Sequence, residues 1–168
     1  MNASELRALQ APLKQQYRTD PRSALVTSRV AVTLDPSRIL VRLGGMPRIA
    51  GLHRATGCTA EVACSADMLL EALAACAGVT LLAVATSSGV ELTGGRITAE
   101  GTWDARGTLA IDKAVPVGMR EIKLEFDLET TADRATLERL VRTTERYCVI
   151  LATLKDPPEM VVSVRDSV

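Results

Sequence analysis

The sequence DMLLEALAACAGVTLLAVA, residues 67–85, decides the fold because it predicts a long helix that is apolar on almost every side. It contains one carboxylate, Glu71, and one thiol, Cys76. A helix that is apolar all round has to be covered on all of its faces. The rest of the 168-residue chain offers limited material for that cover. We therefore expect a second copy to complete it in an intertwined homodimer, with a monomer that wraps the helix in its own sheet as the alternative.

The composition excludes several classes of partner. Twenty basic residues balance twenty acidic ones, and aromatic residues make up 2% of the chain. Balanced charge gives no electrostatic footprint for nucleic acid or an anionic membrane, and few aromatics leave no stacking surface for single strands. The apolar run at 72–85 is too short to span a bilayer, and the N-terminal segment lacks the apolar core of a signal peptide. We expect a cytoplasmic protein with reduced thiols.

The sequence before the central helix predicts one helix and one hairpin. An amphipathic helix occupies residues 1–21 and ends at Asp20-Pro21, because the residue before proline is pushed out of the helical region. RVAVTL (29–34) and RILVRL (38–43) then alternate apolar and polar residues on either side of a DPS turn. That alternation is typical of an antiparallel hairpin.

The sequence after the central helix predicts more antiparallel strands and a second amphipathic helix. RITAEGTWDARGTLAI (96–111) predicts a hairpin with its turn at 104–107, and REIKLEFDLET (120–130) predicts a strand with one wet face. From Asp133 the apolar period becomes helical, and EMVVSV (159–164) predicts a final strand. The order of elements favours a single α+β domain over residues 1–168, with antiparallel sheets around a long buried central helix.

Two cysteines lie on apolar helix faces that we expect to meet in one core, Cys76 and Cys148. A buried cysteine is usually a small hydrophobic residue without chemistry. The alternative is a nucleophilic thiol that an oxidant converts to sulfenic acid and a resolving thiol that condenses with it to a disulfide. That chemistry requires a thiolate whose pKa is lowered by a cation or a helix end. Glu71 points away from Cys76 on the helix, whereas Thr80 lies one turn beyond it.

A metal site is a weaker alternative. Cys58, Cys64 and the single histidine, His53, are close in sequence. Their spacing lacks the short Cys-x₂₋₄-Cys pair of common zinc sites. No phosphate-binding loop or dinucleotide fingerprint is present in the sequence. We expect neither a metal nor a cofactor.

Two segments resemble the OsmC/Ohr family, osmotically inducible protein C and organic hydroperoxide resistance protein. They are SADMLLEALAACAGVTL (65–81), with its cysteine inside an alanine-rich and leucine-rich helix, and ERYCVILATL (145–154), with the second cysteine. The resemblance extends over residues 24–166, and the helix over 1–21 is an addition. It implies an OsmC-like α+β fold, an intertwined homodimer with active sites at the interface, and thiol-dependent reduction of organic hydroperoxides to alcohols.

The resemblance also implies roles for individual residues. Cys76 corresponds to the peroxidatic thiol and Cys148 to the resolving thiol, and an external dithiol protein reduces their disulfide. Family members place a glutamate ten residues before the first cysteine, where this chain has Ala66, followed by Asp67 as the nearest acid.

An arginine from the early hairpin supports the thiolate in the family. Arg38 is the best positional match, with Arg18, Arg22 and Arg29 still open. The predicted catalytic set is therefore Cys76, Cys148, Asp67, Glu71 and Arg38, with Glu71 as an additional acid that the family pattern does not place. The alternative function is a non-enzymatic dimer of the same fold that binds an apolar ligand or senses oxidants.

Overall fold

The computed structural model describes residues 3–35, 40–43, 50–57 and 63–164. The elements follow one another in the order α1 (Ala3–Thr19), a 3-10 turn (Pro21–Ala24), β1 (Leu25–Asp35), β2 (Leu40–Leu43), β3 (Ala50–Gly51), a 3-10 turn (Arg54–Thr56), β4 (Ala63–Cys64), α2 (Ser65–Ser87), β5 (Gly94–Asp104), α3 (Ala105–Thr108), β6 (Glu121–Glu129), α4 (Arg134–Tyr147) and α5 (Val149–Lys155).

The main sheet has four antiparallel strands in the order β2-β1-β5-β6. A second, two-residue pairing joins β3 and β4 in parallel. Helix α2 packs against β1, β2 and β5 on one side and contacts α4 and α5. The α+β class with an antiparallel sheet, the N-terminal helix and the pairing of β1 with β2 are thereby confirmed.

Helix α2 is only partly covered within one chain. Leu70, Leu73 and Leu81 are fully buried against the sheet and neighbouring helices, whereas Leu69 is 40% exposed and Val79 is 42% exposed. The helix has 23 residues and a mean hydropathy of 2.1 over its best 18-residue window. By length and composition the helix could cross a membrane, so the expectation from the short apolar run that it does not stays a prediction. Core helices of soluble proteins meet the same criteria of length and composition.

The predicted hairpin at 96–111 was wrong. Strand β5 ends at Asp104, whose side chain accepts hydrogen bonds from Arg106 and caps the four-residue helix α3. A capped helical turn replaces the tight strand-to-strand turn. The antiparallel partner of β5 is therefore β6, which begins 17 residues later at Glu121.

The predicted final strand at 159–164 was also wrong. Residues 157–164 form no strand, and Met160, Val161, Val162 and Val164 are 82% to 90% exposed. A strand exists only when its backbone N–H and C=O groups have a paired neighbour. Among the described residues of this chain, no neighbouring strand pairs with the segment.

Asp104 connects the end of β5 to α3 and to the residue before β6 through contacts with two arginines. Its side chain is fully buried and accepts hydrogen bonds from Arg106 Nη2 at 2.7 Å and from the Arg106 backbone N–H at 3.0 Å. Arg120, just before β6, lies 4.0 Å from the same carboxylate. The Arg106 side-chain hydrogen bonds hold the pKa of Asp104 below its usual range.

The change Asp104→Asn removes this charge and keeps the shape and the cap. We expect it to lower the free energy of unfolding at neutral pH by about 2 kcal/mol, because hydrogen bonds to a buried charge are lost. A carboxyl whose folded-state pKa is depressed contributes stability above its unfolded pKa, and this contribution disappears as pH falls through the folded value. Urea denaturation should therefore show the difference from wild type shrinking in acid.

The control is Glu138→Gln, which removes an exposed helical ion pair with Arg134. This change should lower the free energy of unfolding by no more than about 0.5 kcal/mol. A difference between Asp104→Asn and wild type that stays constant from neutral to acid pH would contradict the assigned role.

Candidate functional site: a pair of thiols at a helix break

The structure brings Cys76 and Cys148 into contact. Cys76 lies in the middle of α2 and is half-buried, and Cys148 is fully buried between α4 and α5. Both are free thiols, and each lies close enough to shift the pKa of the other. The prediction that the two cysteine-bearing segments meet in one core is confirmed by this contact.

Cys148 occupies a break between two helices rather than the interior of one, as its apolar period had suggested. Its backbone is extended, with φ −72° and ψ 108°. Its N–H donates to the Thr144 carbonyl at 2.9 Å and closes α4, while its carbonyl accepts from the Ala152 N–H at 2.9 Å and opens α5. The first N–H groups of a helix have no partner within that helix. The break therefore leaves unpaired donors directly after Cys148.

Those donors are directed at Cys76. The backbone N–H groups of Ile150 and Val149, the Cys148 thiol and the Thr80 hydroxyl lie near the Cys76 sulfur, and each of them lowers the pKa of that thiol. Burial acts in the opposite direction, because a charged sulfur is poorly solvated there. Together the four donors outweigh burial, so the pKa of Cys76 is lowered from the ordinary thiol value. Hydrogen bonds to the charged form of a group favour that form.

Cys148 responds in the opposite sense. Burial raises the pKa of Cys148, and its hydrogen bond and charge interaction with Cys76 raise it further, against hydrogen bonds from the backbone of Leu151 and Ile150. One sulfur of the pair is thus stabilised as thiolate and the other as thiol. A thiolate is the nucleophilic form of cysteine. Of the two thiols, Cys76 is therefore the more readily ionised and Cys148 the more readily kept protonated.

Thr80 is the residue whose role the sequence indicated only by its spacing. It lies one helical turn beyond Cys76 on the same face of α2, as residues four apart do. Its hydroxyl donates to the Cys76 sulfur and lowers the pKa of that thiol. The amide donors after Cys148 could not be found from sequence, because a continuous helical period gave no sign of the break.

The two predicted acids lie on α2 without contacting the thiol pair in the described structure. Both Asp67 and Glu71 are half-buried. Burial raises the pKa of Glu71, and the charge of Asp67 one turn before raises it further. Neither carboxylate is among the groups that shift the pKa of Cys76. Their catalytic roles stay predictions.

The predicted arginine, Arg38, lies outside the described residues. Of the other candidates, Arg18 and Arg22 are exposed, and Arg29 lies on β1 at 3.5 Å from Glu125 and 3.9 Å from Glu100. None of these three shifts the pKa of Cys76. The sequence called for a cation or a helix end beside the thiol, and in the described part of the chain the amides at the start of α5 act as that helix end, together with two side-chain donors.

The residues considered for zinc do not form a metal site in the described structure. Cys58 lies outside the described residues. Cys64 ends β4 just before α2, twelve positions from Cys76 and hence about 18 Å along the helix axis. Within the described ranges, no group of three or more histidine, cysteine, aspartate or glutamate residues can hold a metal ion.

A cavity of about 290 Å³ opens between α2, β6 and α5, and its lining includes neither Cys76 nor Cys148. Its apolar wall includes Leu73, one turn before Cys76, and Leu151, one turn after Cys148. Arg120 and Lys155 also line it. The cavity wall thus includes a residue one helical turn along the chain from each of the two cysteines.

Comparison with known proteins agrees with this fold. The family model described as OsmC-like protein matches residues 60–163, which include both cysteines. This match covers more than half of the chain, and the chain belongs to the OsmC-like family. A search of curated proteins found no match.

Among solved structures, the chain is similar to an OsmC-like hydroperoxide resistance protein from Jannaschia sp. CCS1. The TM-score is 0.61 at 14% sequence identity, and the match covers 86% of this chain and 97% of that chain. At this identity, the likeness supports the shared fold. The family resemblance that the sequence indicated is confirmed.

The asymmetry of the pair predicts distinct reactivities. Iodoacetamide should alkylate Cys76 with a midpoint pH below that of an ordinary cysteine, and should alkylate Cys148 later and at higher pH. Cys148→Ala removes the S–H donor and should raise the midpoint for Cys76, whereas Cys148→Ser keeps a hydroxyl donor and should hold it near the wild-type value. Peptide mass spectrometry measures the alkylation rates of Cys76 and Cys148 separately. Equal midpoints in these two variants would contradict a hydrogen bond from residue 148.

The Thr80 hydroxyl makes a separate prediction. Thr80→Val keeps the shape of the side chain and removes the donor, so alkylation of Cys76 at neutral pH should slow about fivefold, as expected for one hydrogen bond. Thr80→Ser keeps the hydroxyl and should react like wild type. The two variants should have the same rate at high pH, where Cys76 is ionised in both. Slowing that persists at high pH would mean that access, and not ionisation, had changed.

Proposed function

We propose that this OsmC-like protein is a cysteine-based peroxidase that reduces organic hydroperoxides to alcohols. The observation that carries the proposal is the contact between Cys76, whose pKa is lowered, and the protonated Cys148. This pairing provides a nucleophile and a resolving thiol side by side. Membership of the OsmC-like family and the likeness to a protein titled a hydroperoxide resistance protein support the same activity.

The reaction proceeds in two steps at these sulfurs. The Cys76 thiolate attacks the outer oxygen of the hydroperoxide, the O–O bond breaks, and the departing alkoxide takes up a proton to give the alcohol. Cys76 is then a sulfenic acid. The Cys148 sulfur attacks the Cys76 sulfur, water leaves, and the two residues are joined by a disulfide. A dithiol reductant protein returns both to thiols by exchange, and no further cofactor is needed.

The surroundings favour an apolar substrate. The 290 Å³ cavity, whose wall includes residues one turn from each cysteine, is lined by Leu73, Met119, Ile122 and further leucines, with Arg120, Glu121 and Lys155 as its charged residues. Burial of an alkyl chain there contributes about 25 cal/mol for each Å² of apolar surface removed from water. Hydrogen peroxide lacks such a chain. We therefore propose alkyl hydroperoxides as the substrate class.

We also propose that the protein acts as a homodimer. Leu69 and Val79 expose an apolar stripe on α2 within one chain. The segment at 159–164 carries four exposed apolar side chains and pairs with no strand in the described structure, while β6 is an edge strand of the main sheet. An exposed strand edge is a template for pairing with another chain. A second copy offers both a cover for α2 and a partner for the C-terminal segment.

Steady-state assays with cumene hydroperoxide and dithiothreitol test the enzymatic proposal. We expect Cys76→Ser to abolish turnover, because the nucleophile is lost. Cys148→Ser should form a Cys76 sulfenic acid that dimedone traps, with multiple turnover reduced more than about tenfold. Thr153→Ser, an exposed change in α5, serves as the matched control and should leave activity unchanged. Wild-type protein that binds the peroxide without consuming it would instead support the binding or sensing alternative.

Sedimentation analysis tests the dimer. Val79→Glu places a charge on the exposed stripe of α2, so we expect it to dissociate the dimer while the monomer keeps its helical circular dichroism. Lys113→Glu, an exposed change outside that stripe, should leave the dimer intact. Deletion of residues 157–168 should weaken association. A wild-type monomer, or a Val79→Glu dimer as stable as wild type, would contradict the proposal.

A further inference from the structure

A second cavity, of about 370 Å³, lies at the N-terminal end of α2. Its wall is mainly apolar and includes Leu52, Leu69, Val117 and Met119. Neither Cys76 nor Cys148 belongs to its wall. The peroxidase proposal assigns no role to this cavity.

Trp103 supplies the first sign of a polar ligand. It forms part of the cavity wall and is 6% exposed. Its indole Nε1 is buried and has no hydrogen-bond partner among the described residues. A buried N–H without an acceptor is unfavourable by about 1–3 kcal/mol. An acceptor from a bound molecule removes that cost.

His53 supplies a second donor in the same wall. Its Nδ1 accepts a hydrogen bond from the Ala55 backbone N–H at 3.0 Å. A neutral histidine whose Nδ1 accepts carries its proton on Nε2, which is therefore a donor. The ring stands edge-on to Trp103, with 5.2 Å between ring centroids. Two aromatic N–H groups thus belong to neighbouring parts of one wall.

The start of α2 supplies the third feature. Ser65 and Ala66, its first two residues, line the cavity. The preceding residue, Cys64, makes no side-chain capping hydrogen bond, so the first-turn N–H groups of this 23-residue helix are left uncapped by it. Such N–H groups and the helix dipole together favour a negatively charged group.

We propose that this cavity binds a medium-chain carboxylate, with the alkyl chain against the apolar wall and the carboxylate toward Trp103, His53 and the start of α2. The described wall contains no aspartate or glutamate that would repel it. The binding site is separate from the thiol pair in this chain. It gives an OsmC-like protein a ligand function that does not depend on cysteine chemistry.

Fluorescence titration of the reduced, full-length protein with octanoate tests the proposal, because Trp103 is the single tryptophan. We expect a saturable change in emission at one equivalent per chain. Octylamine and octanol have the same chain with a cationic or a neutral head, and should bind at least about tenfold more weakly, the factor expected for losing one hydrogen bond to a charge. Equal responses to the three probes would overturn the proposal.

Variants at the mouth of the cavity sharpen the test. Val117 lines the cavity and is 63% exposed, so a charge there is compatible with folding. Val117→Glu should weaken octanoate binding several-fold, and Val117→Lys should retain or strengthen it. Equal affinities in the two variants would contradict a carboxylate site. Cys76→Ser should bind octanoate like wild type, so failure of the peroxidase proposal leaves this result unchanged.

Discussion

The donors that surround the Cys76 sulfur are the interaction on which the proposed thiol chemistry depends. Burial alone would keep that sulfur protonated and unreactive. The amide groups after Cys148, the Cys148 thiol and the Thr80 hydroxyl reverse that tendency. The same contact keeps Cys148 protonated, since its neighbour already holds the negative charge. The same contacts therefore favour the thiolate form of Cys76 and the thiol form of Cys148.

The rest of the fold holds this arrangement in place. The four-stranded sheet provides the surface against which α2 packs, and α4 and α5 lie against the same helix. Because α2 is a continuous helix of 23 residues, Cys76 and Thr80 have a fixed spacing on one face. The break at Cys148 then brings the free amides of α5 to that face. The seven-residue helix α5 thus supplies backbone donors that lower the pKa of a thiol on another helix.

Much of the architecture could be predicted from sequence because its signals are local. The apolar run at 67–85 predicted α2, and alternation predicted β1, β2 and β6. The contact of Cys76 with Cys148 followed from two helix faces that share a core. The prediction of a strand at 159–164 was wrong. The alternating sequence showed an apolar segment, but it could not show whether a neighbouring strand was available for pairing. The composition of residues 104–107 predicted a turn. The structure has the short helix α3 there, because the Asp104 side chain caps its first turn.

The central claim is that Cys76 and Cys148 form one redox pair. Reduced protein should be treated with one equivalent of an organic hydroperoxide, and peptide mass mapping should then locate the disulfide while loss of peroxide is followed in parallel. The account predicts rapid, stoichiometric consumption and a bond between Cys76 and Cys148. Slow oxidation spread over several cysteines, without that bond, would contradict it.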